Sequence, residues 1–258
     1  MLEAAMTLVA RSGLTVSLDH LSLEEVIREA GVSRSAVYRR WPYKDLFFSD
    51  LVKELAKNAV PSIVEDEVAV LREVVGQRGD WLESRELRNG LIAELIRRLA
   101  VLDFEILYQS TKWRTYLALN ATFASIADAD IRAQVASALV ESERAHTTRV
   151  AGAWEFLADL LGFRLREDSC ASFEALATVL SATMRGLVLM ALSDPDIASH
   201  RASARPFGAS EEAEWSLPAL SFASIANGFL EEDMRIEWND DRIREARESL
   251  DSMTVGAL

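Results

Sequence analysis

The segment Leu21–Val52, LSLEEVIREAGVSRSAVYRRWPYKDLFFSDLV, decides how this chain is read. Ser22 opens a capping box: its hydroxyl is expected to accept the backbone N–H of Glu25, while Glu25 reaches back to the N–H of Ser22. Leu23, Val26, Ile27 and Ala30 then fall on one face at helical spacing. Gly31 ends that helix, because a residue without Cβ takes the left-handed conformation at no steric cost. Val32 is expected to carry the core through the turn. Ser33 caps a second helix to about Arg40, with Ala36 and Val37 inward and Arg34, Ser35, Tyr38 and Arg39 outward. Pro42 closes it, and a third helix starts near Tyr43 with Leu46, Phe47, Leu51 and Leu55 on its buried side.

A helix, a short turn containing glycine and a second short helix form the helix-turn-helix pattern. Its second helix suits the DNA major groove, with its N-terminal residues toward the base edges. Between Arg28 and Lys44 there are five basic residues (Arg28, Arg34, Arg39, Arg40, Lys44) and one acidic residue, Glu29. Arg34 is the candidate for a bidentate contact to guanine. Small side chains at Ser33, Ser35 and Ala36 let the backbone approach closely. Tyr38 can donate its hydroxyl to a phosphate, and Lys44, in the first turn of the next helix, can share a phosphate with nearby free N–H groups. Arg39 and Arg40 suit phosphates better than bases. The candidate DNA-contacting residues are Ser22, Ser33, Arg34, Ser35, Tyr38, Arg39, Arg40, Tyr43 and Lys44. Blander roles stand beside these: Trp41 and Tyr38 as core aromatics, Arg40 as a solvated surface charge.

The rest of the chain carries the opposite charge. Residues 1–60 hold eight basic and eight acidic side chains; residues 61–258 hold 20 and 33, and carry the whole net charge of −13. Screening acts over about 8 Å in physiological salt, so a DNA-binding head at one end keeps most of that repulsion distant. Half of the 258 residues are apolar, which excludes wholesale disorder. The single cysteine, Cys170, cannot form an internal disulfide, consistent with a reducing, cytoplasmic setting. Glu3 precedes any basic residue at the N-terminus, against a signal peptide. No apolar run is expected to reach membrane-spanning length.

The head segment resembles the DNA-binding region of the tetracycline-repressor (TetR) family of bacterial transcriptional regulators. AGVS at Ala30–Ser33 resembles that family's turn, AVY at Ala36–Tyr38 its recognition helix, Trp41 its packed aromatic, and Lys44–Asp45–Leu46 the opening of its fourth helix. The resemblance implies DNA contacts for Ser35, Tyr38 and Lys44 and a core role for Trp41. It covers about residues 2–56. Three places differ: a minimal segment before the first helix, a longer stretch at Leu14–Leu21, and Ile27 in place of a customary alanine.

Gly and Pro are scarce in the body and no two-residue alternation is sustained, so it reads as helical. Expected helices span about 63–77, Ser84–Val101 (with Leu87, Leu91, Leu95 and Leu99 in a row), 103–125, Ala129–Leu161 up to Gly162, and Ser172–Leu192 before Asp194–Pro195. Residues 200–214 read as a loop, and 218–251 as two short helices. The expected fold is all-α: a three-helix DNA-binding domain over 1–58, then a helical regulatory and dimerisation domain over 59–258. The apolar run Leu176–Leu192, with the long helix before it, suits half of a four-helix dimer interface. The resemblance implies dimerisation through the last two body helices and a small-molecule cavity. Candidate lining residues are Trp113, Tyr116, Phe123, Trp154, Phe156 and Met184, with an apolar or aromatic effector preferred.

Catalytic motifs are thin. His20, His146 and His200 lack metal-ligand spacing, Cys170 has no evident activating base, and no glycine-rich phosphate loop occurs. No enzyme, metal or cofactor is expected. The reading is therefore a repressor that binds a palindromic operator as a homodimer and leaves it when an effector binds, in the cytoplasm and away from membranes. The alternative is a helical ligand-sensing or interaction protein whose head no longer binds DNA.

Overall fold

Four helices, not the expected three, occupy the described residues up to 57: α1 (Leu2–Ser12), α2 (Leu23–Ala30), α3 (Arg34–Arg40) and α4 (Lys44–Lys57). The computed structural model describes residues 1–12, 22–57, 64–77, 79–126, 128–169, 172–209 and 211–252. The stretch at 14–21, His20 and Cys170 fall outside them. Packing divides the chain into two compact units, 1–61 with 109–146, and 62–108 with 147–258. This grouping is by contact, whereas the boundary expected at 58/59 is a functional one.

In the first unit, α1 contributes Ala5 and Val9, α2 Leu23, Val26 and Ile27, α3 Val37, and α4 Phe47 and Leu51 to one buried cluster, with Trp41 among them. The i, i+3, i+4 spacing on α2 and the i, i+4 row on α4 bring these side chains inward. Three inward assignments do not hold: Val32, Ala36 and Leu46 are exposed. The seven-residue α3 meets its support along a single line through Val37, and one residue back is a rotation of about 100°. Leu46 misses the core row of α4 for the same reason. Two further elements complete this unit: α7 (Thr111–Thr122) and the first part of α8 (Ala129–Leu161). Tyr116 and Leu119 pack with Val135 and Leu139, and Val52 and Leu55 of α4 reach this second cluster. One helix was expected over 103–125. Instead, α6 (Arg85–Gln109) stops at Ser110, whose hydroxyl accepts the N–H of Trp113 at 3.1 Å and starts α7.

The second unit contains α5 (Val64–Gln77), α6, the rest of α8, α9 (Phe173–Ser193), α10 (Asp196–Ser199), α11 (Leu217–Phe229) and α12 (Asp240–Ser252). Leu91 and Leu95 of the α6 row are buried. Gly162 ends α8 at φ +77°, and a Cβ there would lie 2.9 Å from the Trp238 ring, so only glycine suits both demands. The two expected tail helices correspond to α11 and α12. The expected loop at 200–214 holds strand β2 (Arg201–Ala204), paired antiparallel with β3 (Ala213–Ser216); β1 (Phe163–Leu165) pairs likewise with β4 (Leu230–Glu232). These strands of three or four residues are too short to show alternation, and helices still dominate.

α9 corrects the expectation about apolar runs. It is 21 residues long, and an 18-residue window within it has a mean hydropathy of 1.7, long and apolar enough to cross a membrane, with a third of that window buried within the protein. Its main helical neighbour is α11 rather than the preceding α8. Leu176, Ala177, Leu180, Met184, Val188 and Ala191 form its buried face.

Inside the second unit, the carboxyls of Glu67 of α5 and Asp103 of α6 act on each other, with Arg149 of α8 acting on both and Asp66 acting on Glu67. The Asp103 residue is only partly buried, but its Oδ1 is enclosed and has no hydrogen-bond partner. Burial first, then Glu67, pushes the Asp103 carboxyl well above the ordinary carboxylate range. The folded state thus holds a proton that the unfolded chain releases near pH 4, and stability falls as pH rises from there to the raised value. Asp103→Asn is expected to raise the melting temperature at pH 7 and flatten that slope, as thermal scans between pH 4 and 8 would register.

Candidate nucleic-acid interface

Left-handed backbone at Gly31, with φ +63°, turns the chain from α2 toward α3. Ser33 accepts the N–H of Ala36 at 3.4 Å and starts α3, as its sequence position implies, and its hydroxyl lies 3.3 Å from that of Ser35. The expected capping box at Ser22 does not form: Ser22 is extended at the N-cap, but its side chain makes no capping bond. Its hydroxyl stands exposed beside the first turn of α2.

Val37 is the buried residue of α3, while Arg34, Ser35, Tyr38, Arg39 and Arg40 are exposed. The chain then dips inward at Trp41 and emerges at Tyr43 and Lys44, both exposed. All nine candidate contact residues are thus open to solvent.

Trp41 anchors this surface from beneath. Its ring meets Phe47 edge to face at 5.2 Å, and its Nε1–H donates to Asp50 Oδ2 at 2.9 Å. That hydrogen bond is the main cause holding the Asp50 carboxyl below its ordinary range, against the effect of burial and with help from Lys53, which donates to Oδ1 at 3.3 Å. Arg40 lies over the Trp41 ring at 4.9 Å, and Lys44 Nζ over Phe48 at 5.0 Å. Such cation–π contacts orient long side chains while their charges remain accessible. Lys44 is also the first residue of α4, beside the unbonded N–H groups of a helix start.

Glu24 is a residue of this face that the sequence did not single out. It contacts both Arg34 and Tyr38 from α2. The other α2 glutamates pair elsewhere, Glu25 with Arg28 and Glu29 with Arg11. Acidic residues in a helix of this charge look like ordinary solvated groups, and the ten-residue separation of Glu24 from Arg34 has meaning only once the turn is folded.

The six candidate pocket residues divide between the units. Trp113, Tyr116 and Phe123 lie in the first, where Trp113 and Tyr116 are buried and the Tyr116 hydroxyl donates to Glu143. Trp154, Phe156 and Met184 lie in the second, where Met184 is buried and the two aromatics partly so. Among the described residues, no cluster of three or more His, Cys, Asp or Glu could hold a metal ion.

Comparison with curated proteins found no match, and neither did comparison with solved structures. One family model does match, described as bacterial regulatory proteins, tetR family, a group of regulators rather than enzymes. Its match spans residues 1–51, about a fifth of the chain, which carry α1 to α3 and the first two turns of α4, so this head is similar to the corresponding region of that family.

Proposed function

We propose that the protein is a transcriptional repressor that binds a palindromic operator as a homodimer and is released by a small-molecule effector. The observation that carries the reading is the exposed α3, with Arg34, Ser35 and Tyr38 outward on a head anchored through Val37 and Trp41. In this reading residues 1–58 bind DNA and residues 59–258 regulate and dimerise. Arg34 reads guanine. Ser33 and Ser35 allow close approach, and Ser22, Tyr38, Arg39, Arg40, Tyr43 and Lys44 hold phosphates.

Homodimerisation is supported by α9, whose open face is apolar while its other face packs within the fold. A second α9 would cover that face, which makes a bilayer unnecessary and favours a cytoplasmic protein acting where its DNA lies. The effector in this reading is apolar or aromatic. Its coupling to DNA affinity would be about 1–3 kcal/mol, the usual scale for such linkage.

Selection from a pool of random duplexes tests DNA binding directly. The wild type is expected to enrich a palindrome, with affinity that falls steeply as salt rises. Arg34→Ala should relax preference at one base pair per half-site, a loss of about 1–3 kcal/mol in discrimination. Lys44→Ala should weaken all duplexes alike and reduce the salt slope by about 1. Failure to enrich any sequence would favour a sensing or interaction protein with a head that does not bind DNA.

A further inference from the structure

The Glu24 carboxylate reaches from the first helix of the motif onto the second. Its Oε2 lies 2.5 Å from Arg34 Nη2, and its Oε1 accepts the Tyr38 hydroxyl at 3.4 Å. Arg34 and Tyr38 are four residues apart, so they stand one above the other on a single face of α3. One carboxylate therefore holds two of the groups assigned to DNA, using a separate oxygen for each. All three side chains are exposed, with 71% of the Arg34 and 48% of the Glu24 side chain open to solvent.

We infer that Glu24 is a positioning and specificity-determining residue of the DNA-binding head: it orients Arg34 and Tyr38 while its charge disfavours phosphate at Arg34. The inference rests on the DNA-binding reading above.

The physical asymmetry lies between the two ways in which Arg34 can meet DNA. In non-specific binding, Arg34 acts as a cation that releases counterions from a phosphate. A carboxylate in contact with the guanidinium cancels that charge locally and repels the phosphate oxygens. In specific binding, two of the five guanidinium donors engage guanine O6 and N7, which leaves others for Glu24. Guanine presents acceptor atoms rather than a full negative charge, so Glu24 penalises this mode less. An exposed ion pair is weak enough to rearrange during docking, yet the charge remains beside Arg34 wherever the side chain turns. The contact also narrows the orientations Arg34 samples before it meets a base.

The test uses the full-length protein, the duplex enriched by the wild type, and a scrambled duplex of equal length, each titrated with salt. Glu24→Gln keeps the size and loses the charge. It is expected to bind scrambled DNA about 5-fold tighter at 0.1 M salt, to lose a similar factor in the ratio of enriched to scrambled affinity, and to steepen the salt slope by about 0.9, the value of one additional phosphate. In an Arg34→Ala background the same change should leave that ratio unaltered, because the group it acts through is gone. Glu24→Asp keeps the charge with a shorter reach and should retain the wild-type slope. An unchanged ratio and slope in Glu24→Gln, or an equally steep slope in Glu24→Asp, would overturn the inference while leaving DNA binding intact. A wild type that enriches no sequence would remove both.

Discussion

Phe47→Ala is expected to destabilise the first unit by about 3–5 kcal/mol, the range for removing a buried aromatic side chain. Phe47 is fully enclosed and meets Trp41 at 5.2 Å and Phe48 at 5.4 Å, both edge to face. It is the residue on which the chain from α3 through Trp41 into α4 closes. Domains of this size have about 5–15 kcal/mol in total, so the loss is a large share. With a urea dependence of about 1–3 kcal/mol per molar, the unfolding midpoint should fall by roughly 2 M. DNA binding should decline with it, because α3 has few buried contacts of its own beyond Val37. Phe47→Leu keeps most of the volume and should lose no more than about 1.5 kcal/mol. A loss below 1 kcal/mol in Phe47→Ala would show that position 47 does not lie in a packed core.

The head was legible because its signals are local. Leu23, Val26 and Ile27 declare one helical face within five residues, Gly31 declares the stop, and Ser33 the next start; the structure places all of these as read. Spacing misleads where packing decides. Val32, Ala36 and Leu46 are apolar neighbours of buried residues, yet the narrow contact made by α3 and the single core row of α4 leave them outside. No glycine or proline marks the break at Ser110, only a hydroxyl that becomes a cap once the helix has stopped. Strands β1 and β4 pair residues almost seventy positions apart, and a three-residue strand has no periodicity to detect. The grouping of 109–146 with the head depends on α7 meeting α1 and α4, a tertiary fact. The contacts of Glu24 share that origin: they come from the angle between two helices, which no linear pattern encodes.

Leu189→Glu combined with Met190→Glu is expected to turn the protein into a monomer and reduce operator affinity by about 10²- to 10⁴-fold, the gain that linking two binding modules ordinarily provides. Ala175, Val179, Ala182, Leu189 and Met190 are exposed along α9, and Gly186 lies between them on the same stripe, half-buried. At about 100° per residue these positions cover one face of the helix, opposite Leu176, Leu180, Met184 and Val188. Small residues at Ala182 and Gly186 permit close approach of a second helix, with Leu189 and Met190 supplying apolar area at one end. Two glutamates within such a contact would be carboxylates taken out of water without partners, which association cannot tolerate. The link to DNA is geometric: a dimer presents two copies of α3 to half-sites about 34 Å apart, so one bound head raises the local concentration of the other. A monomer keeps only single-head affinity, and the enriched duplex should lose its advantage over a half-site. Sedimentation gives the mass, expected at twice 28.7 kDa for the wild type and at that value for the variant. Met234→Glu, at an exposed position away from α9, should alter neither mass nor affinity. Unchanged mass and operator affinity in the α9 variant would remove this face from the dimer. A wild type that partitions into lipid vesicles, and a variant that does not, would assign α9 to a membrane instead.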